Sequence, residues 1–180
     1  MMRLLFISLL ILAGALLFLQ GRLNIQNDPL PVFLKTDELA QAHQTKIDIK
    51  VNSIHRPDSV QLSVLKKDYS NLWAHLNYLY QSNDVESGKE YYTEAFFKQI
   101  NHHYSGVLKS IITRTDVRHE LHIQNWAWDG LACTAIDSNV VLQYQLNGKI
   151  IKTTKVNLAI VLLYQGNHWR LDALRIINEK

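Results

Sequence analysis

Three two-residue turn signals in the last third of the chain, Asp129-Gly130, Asn147-Gly148 and Gly166-Asn167, constrain its fold more than any other feature. Each lies between runs rich in β-branched, aromatic and other apolar residues. Such dipeptides supply the positive φ angles that type I′ and II′ hairpin turns require. Three hairpins in succession predict a four-stranded antiparallel meander. Leu131 to Leu146 and Lys149 to Tyr164 each run 16 residues, so the Asn147-Gly148 turn can pair them end to end. Asp137-Ser138-Asn139 interrupts the first of the two, and the matched lengths make it a bulge rather than a fourth turn. Leu158 to Leu163 is apolar on both faces, the pattern of a central strand covered on both sides. In the first strand His119, Leu121 and Ile123 alternate with Glu120, His122 and Gln124, and Trp126 and Trp128 close it; the last strand runs from His168 to Ile177.

Upstream the period changes from two to that of a helix. Asp58 and Gln61 stand three apart, as in a capping box. Leu62, Leu65, Tyr69, Leu72, Leu76 and Leu79 then recur at steps of three and four, with Trp73 and Tyr80 widening the stripe. Ser87-Gly88-Lys89-Glu90 has the spacing of a second capping box, predicting a helix through Tyr92, Ala95, Phe96 and Ile100 that Gly106 ends. Together these predict an antiparallel helical pair. Val107 to Thr115 fits either a helical turn or an early strand. Before Arg56-Pro57, the alternation of Ile47, Ile49 and Val51 with Asp48 and Lys50 predicts a short strand at a sheet edge, and Thr36 to Gln44 a short helix.

The amino terminus differs in composition. Leu4 to Leu19 is an apolar run of 16 residues broken only by Ser8 and Gly14, with Arg3 before it and Arg22 after it. As a helix it reaches about 24 Å, and Arg3 can snorkel to the headgroups. The favoured reading is an uncleaved membrane anchor; the alternatives are a cleaved signal, with Ala13-Gly14-Ala15 as the site, and a buried core helix. Cleavage there leaves Leu16 to Leu19 exposed on the mature chain, which argues against it. The slight excess of positive charge at the start places the body outside the cytoplasm, facing the periplasm in a bacterial host. Gly21 to Val32, with Pro29 and Pro31, reads as an extended tether. The resulting organisation is an anchor or signal-like segment over residues 1–21, a tether with a possible short helix over 22–45, and an α+β domain over 46–180.

Composition excludes several functions. Charged residues make up 19% of the 180 and the net charge is +3, with no basic stripe beyond the small cluster Lys149, Lys152 and Lys155, so nucleic acid is not expected as a partner. The single cysteine, Cys133, rules out an internal disulfide and a cysteine-rich metal site. His119 and His122 are three apart, which on a strand sends them to opposite faces, while His102 and His103 suit the end of a helix. No metal and no cofactor is expected, and no nucleophile elbow, P-loop or dinucleotide fingerprint is present.

Amphipathic helices followed by a long, bent antiparallel sheet resemble the NTF2-like superfamily, a cone-shaped α+β fold. The closing Gly166-Asn167-His168-Trp169-Arg170-Leu171-Asp172 is similar to the final hairpin of many such domains. The resemblance covers about Asp58 to Lys180 and rests on architecture, not on a diagnostic motif. The layout of a tether followed by such a domain is similar to the VirB8-like proteins of type IV secretion systems, although those usually carry a longer cytoplasmic tail. For an enzyme of this superfamily the resemblance nominates His122, Asp137, Tyr144 and Asp172 as acids or bases on the concave face. No Asp–His pair follows from local spacing, so no catalytic residue is assigned. Trp126, Trp128, Tyr144 and Trp169 can line an apolar pocket, the plain alternative being core packing beneath the helices. The possible pocket or interface residues are therefore Trp126, Trp128, Tyr144, His122 and Asp172.

The functional expectation is a non-catalytic, membrane-anchored domain serving as a scaffold or assembly subunit of an envelope complex, with protein partners or, by the resemblance, a homodimer through the sheet. A small-ligand-binding or sensing domain is the first alternative and an isomerase- or hydrolase-like enzyme the second. A cone filled by side chains favours the scaffold, an open cone favours ligand binding, and a buried acid facing an open cone favours the enzyme.

Overall fold

Asp58 starts the first long element as its spacing predicts. The computed structural model, which describes residues 38–104 and 110–179, has the Asp58 carboxylate accepting from the Gln61 amide at 2.7 Å while Gln61 Oε1 accepts from the Asp58 amide at 2.9 Å. Helix α1, Ser59–Ser82, follows from this reciprocal cap and ends at Asn83, whose left-handed φ of 57° lets its amide bond back to the Leu79 carbonyl. Leu65, Tyr69, Leu72 and Leu79 are buried along one face, the stripe read from the sequence.

The sheet has five strands in the order of the chain: β1 Lys46–Val51, β2 Ile112–Trp126, β3 Ala132–Leu146, β4 Lys149–Gln165 and β5 His168–Glu179. The last four form the antiparallel meander, turning at Gly130, Asn147, Gly148 and Gly166, all at positive φ. β1 joins at one edge, parallel to β2, with Lys46 opposite Arg118 and Val51 opposite Ile123. The fold is thus α+β with a mixed sheet, and the described residues fall within one unit, Val32–Lys180.

Every antiparallel pair of strands carries register shifts. Between Asp137 and Val140 the extra residues include Asn139, at φ 55°, whose amide donates to Asn157 Oδ1 at 2.8 Å. Such bulges bend a strand and strengthen its twist, so the sheet curls around the helices. α1 lies against the inner face, and the core between them includes Leu65, Leu72, Leu121, Ile123, Ile160, Leu162 and Leu171.

Two expectations need correction. Ser87 and Glu90 do not open an α-helix: Glu86–Tyr91 is a 3₁₀ helix, and α2 is Glu94–Tyr104, its Phe96 amide bonded to Thr93 Oγ1 at 3.3 Å. The cause is tertiary. Gly88 sits against the His75 ring so closely that a Cβ there would lie 2.1 Å from Nδ1, and Tyr92 is held extended by a bridge to Leu171. β2 also stops at Trp126, before Trp128, because the chain leaves the ladder into the turn. The stretch left open between helix and strand is strand from Ile112. Gly106, the anchor over residues 1–21, and the tether up to Asp37 lie outside the described residues, while residues 38–42 are helical. Among the described residues no helix is long and apolar enough to cross a membrane.

Candidate functional site

Two features stand out on the inner face of the sheet. The first is a cavity of about 250 Å³ between both helices and strands β2 to β5. Leu142, Val156 and Leu158 form its apolar floor, Trp73 and Leu79 its helical wall, and Arg114 brings a guanidinium into its lining. Tyr144, Ile176 and Glu179 also line it; Ile176 is 56% exposed and lies toward solvent.

Arg114 is held rigidly. Its Nε donates to Asn77 Oδ1 at 3.1 Å and its Nη2 to the Leu76 carbonyl at 2.7 Å, both on α1. The rings of Tyr80 and Trp73 lie 5.1 and 5.8 Å from the guanidinium carbon, within cation–π range. Burial lowers its pKa, opposed by Tyr144, Tyr104 and Asp116.

The second feature is a polar cluster centred on the buried His119, whose ring packs 4.6 Å from that of Trp73. His119 faces Asp116 Oδ2 through Nε2 at 2.9 Å and Asp137 Oδ2 through Nδ1 at 2.6 Å. An ionised carboxylate only accepts, so two of them favour a ring that donates from both nitrogens, the imidazolium. Burial opposes that charge, but the hydrogen bonds and charges of the two carboxylates outweigh it and lift the His119 pKa to about 9. Asp116 is likewise penalised by burial, yet His119 and His43 hold its carboxyl well below the usual range. His43 Nε2 lies 2.7 Å from Asp116 Oδ1 and its Nδ1 lies 3.1 Å from Ser70 Oγ. Asn77 donates to the same Asp116 oxygen, linking this cluster to Arg114. Tyr69 completes it, donating to Asp137 Oδ2 at 2.6 Å, and burial together with the Asp137 charge pushes the Tyr69 pKa well up.

Of the residues nominated from the sequence, Tyr144 lines the cavity, packed edge-on to Tyr80. Asp137 is buried, paired in register with the cavity residue Leu158. His122 points to the outer side of the sheet, the opposite face from His119. Asp172 accepts from Thr93 Oγ1 at 2.8 Å and so ties β5 to the start of α2. Trp126 is buried against Trp169, whereas Trp128 is 84% exposed in the turn. Trp169 instead lines a second cavity of about 260 Å³, with Val60, Gln61 and Tyr164. The structure therefore does not gather the nominated residues into one site.

Sequence reasoning missed Trp73 as a cavity wall, Arg114 altogether, and the Asp116–His119 pair. Residues three apart on a regular strand face opposite ways. Register shifts on either side of Arg118 break that rule and put Asp116 and His119 on the same face. The signal was a parity switch: Arg114 and Asp116 point inward at even numbers, His119, Leu121 and Ile123 at odd ones. Comparison of the chain with models of protein families, with curated proteins and with solved structures finds no match.

Proposed function

We propose that this chain carries an NTF2-like domain that binds a small, mainly apolar molecule between its helices and its sheet, held at a membrane by the apolar segment Leu4 to Leu19. The observation that carries this reading is the cavity of about 250 Å³, an apolar volume the side chains of a packed core leave open, with one cationic group in its wall. A volume of about 150 Å³ takes benzene, so the ligand has about ten non-hydrogen atoms. The Asp116–His119–Asp137 cluster has no solvent exposure and none of its members lines the cavity, which favours binding over catalysis. Fragment binding to the full chain in nanodiscs, followed through the Trp73 indole N–H resonance, tests the reading. Small apolar fragments are expected to shift that resonance in the wild type and not in Leu142→Trp, which fills the cavity. Fragments that leave it unmoved in both would sink the proposal.

A second reading, the scaffold subunit of an envelope complex, draws support from Ile150, Ile151, Ile176 and Ile177, each more than half exposed and all toward one end of the sheet. A mild-detergent pull-down with mass spectrometry is expected to recover a partner that is lost when Ile150 and Ile151 become lysine. Recovery of the chain alone from its native membrane counts against that role.

A further inference from the structure

We propose that the cavity is built for a monocarboxylic acid, its apolar body on Leu142, Val156 and Leu158 and its carboxylate on the Arg114 guanidinium. This inference rests on the ligand-binding reading above and adds the chemical class of the ligand.

The argument begins with the donors of Arg114. A guanidinium has five N–H groups in a fixed fork. Two of them go to neutral oxygens of α1, on Asn77 and Leu76. Among the described residues no carboxylate lies within ion-pair distance of this arginine, although Arg118 meets both Asp48 and Glu120. A cation at the wall of an apolar cavity, with N–H groups left over, is matched best by an anion, and the planar fork fits the two oxygens of a carboxylate.

The surroundings explain why the charge survives there without a contacting counter-ion. Asn77 bridges Asp116 to Arg114 by hydrogen bonds, and the Asp116 charge favours the charged guanidinium. Both Asp116 oxygens are already used, by His43 and Asn77 on one side and His119 on the other. Asp116 has no oxygen left for Arg114, which is tied to α1 by two bonds and lines the cavity. With Tyr80 and Trp73 fixing its position, little ordering remains to be done when a ligand arrives.

Glu179 sharpens the class. It lines the cavity near Ile176 and reaches Lys152 Nζ at only 3.4 Å, with half of its side chain exposed. A second anionic group on the ligand would meet this carboxylate, so the site selects a single charge. The volume admits a ring with a short acid chain.

The test compares 3-phenylpropanoate with 3-phenylpropan-1-ol, which share a body and differ in charge. Both are titrated into the full chain in nanodiscs, read at the Trp73 indole N–H. The acid is expected to bind at least tenfold more tightly than the alcohol in the wild type. In Arg114→Met that preference is expected to vanish, and in Arg114→Lys to survive in part. Equal affinities in the wild type, with both ligands blocked by Leu142→Trp, would overturn the carboxylate proposal and leave the cavity reading standing. Failure of both compounds and of neutral fragments alike would remove the binding reading itself. The wild-type comparison decides the matter even if the Arg114 variants do not fold.

Discussion

A carboxylate on each nitrogen favours the protonated form of a histidine, and His119 sits in that position with no exposure to water. Its pKa in the folded chain, about 9, stands above the ordinary 6.5. The proton is therefore bound more tightly in the folded state, and the stabilisation is complete below pH 6.5 and lost as the pH rises through 9. The effect is on the order of 3 kcal/mol. Thermal melts of the wild type are expected to fall steadily from pH 6.5 to 9.5, and those of His119→Gln to start lower and stay flat over that range. Asp116 acts at the other end: its depressed pKa gives stability above about pH 4 that is lost as the pH falls. Asp137 holds both His119 and Tyr69. Asp137→Ala strands two donors, one of them charged, and is expected to cost about 3–5 kcal/mol in urea unfolding. Cys133, by contrast, is buried and its thiol pushed up to about 12, the state of an inert core residue.

At the scale of elements, the sequence was most legible where a local pattern had no tertiary rival. The Asp58–Gln61 cap, the hairpin turns and the bulge near Asp137 all stand where spacing put them. Ser87 to Glu90 shows the opposite case. Its spacing is as good as that at Asp58, yet the segment is 3₁₀ because Gly88 must pass close to the His75 ring. His75 is itself fixed between the Tyr92 hydroxyl at 2.6 Å and the Asp84 carbonyl at 3.1 Å, and burial lowers its pKa to about 4. It cannot yield easily, so Gly88→Ala is expected to destabilise by about 1–3 kcal/mol through overpacking, seen as a lower urea midpoint at unchanged slope. The Asp116–His119 pair was hidden for a related reason: bulges reverse the inward parity of β2, and a rule of alternation reads straight past them.

For the whole molecule, the meander was readable because each of its turns is local, while the cavity was not, because its volume is what remains after helices and sheet have packed. Alternation at Lys46 to Val51 likewise predicted a strand but not its partner or its direction. That partner has a consequence for the order of assembly. The four later strands can zip up through two-residue turns, whereas β1 must find β2 across about 70 residues of chain, and long loops close at a higher entropic cost. β1 is therefore expected to dock last, onto a meander already formed. Ile47→Val and Ile49→Val are expected to speed unfolding and leave the refolding rate unchanged, while Leu158→Ala slows refolding. Until β1 docks, the flank of β2 is an open sheet edge, and that flank is where a chaperone or a sister chain can pair with it first.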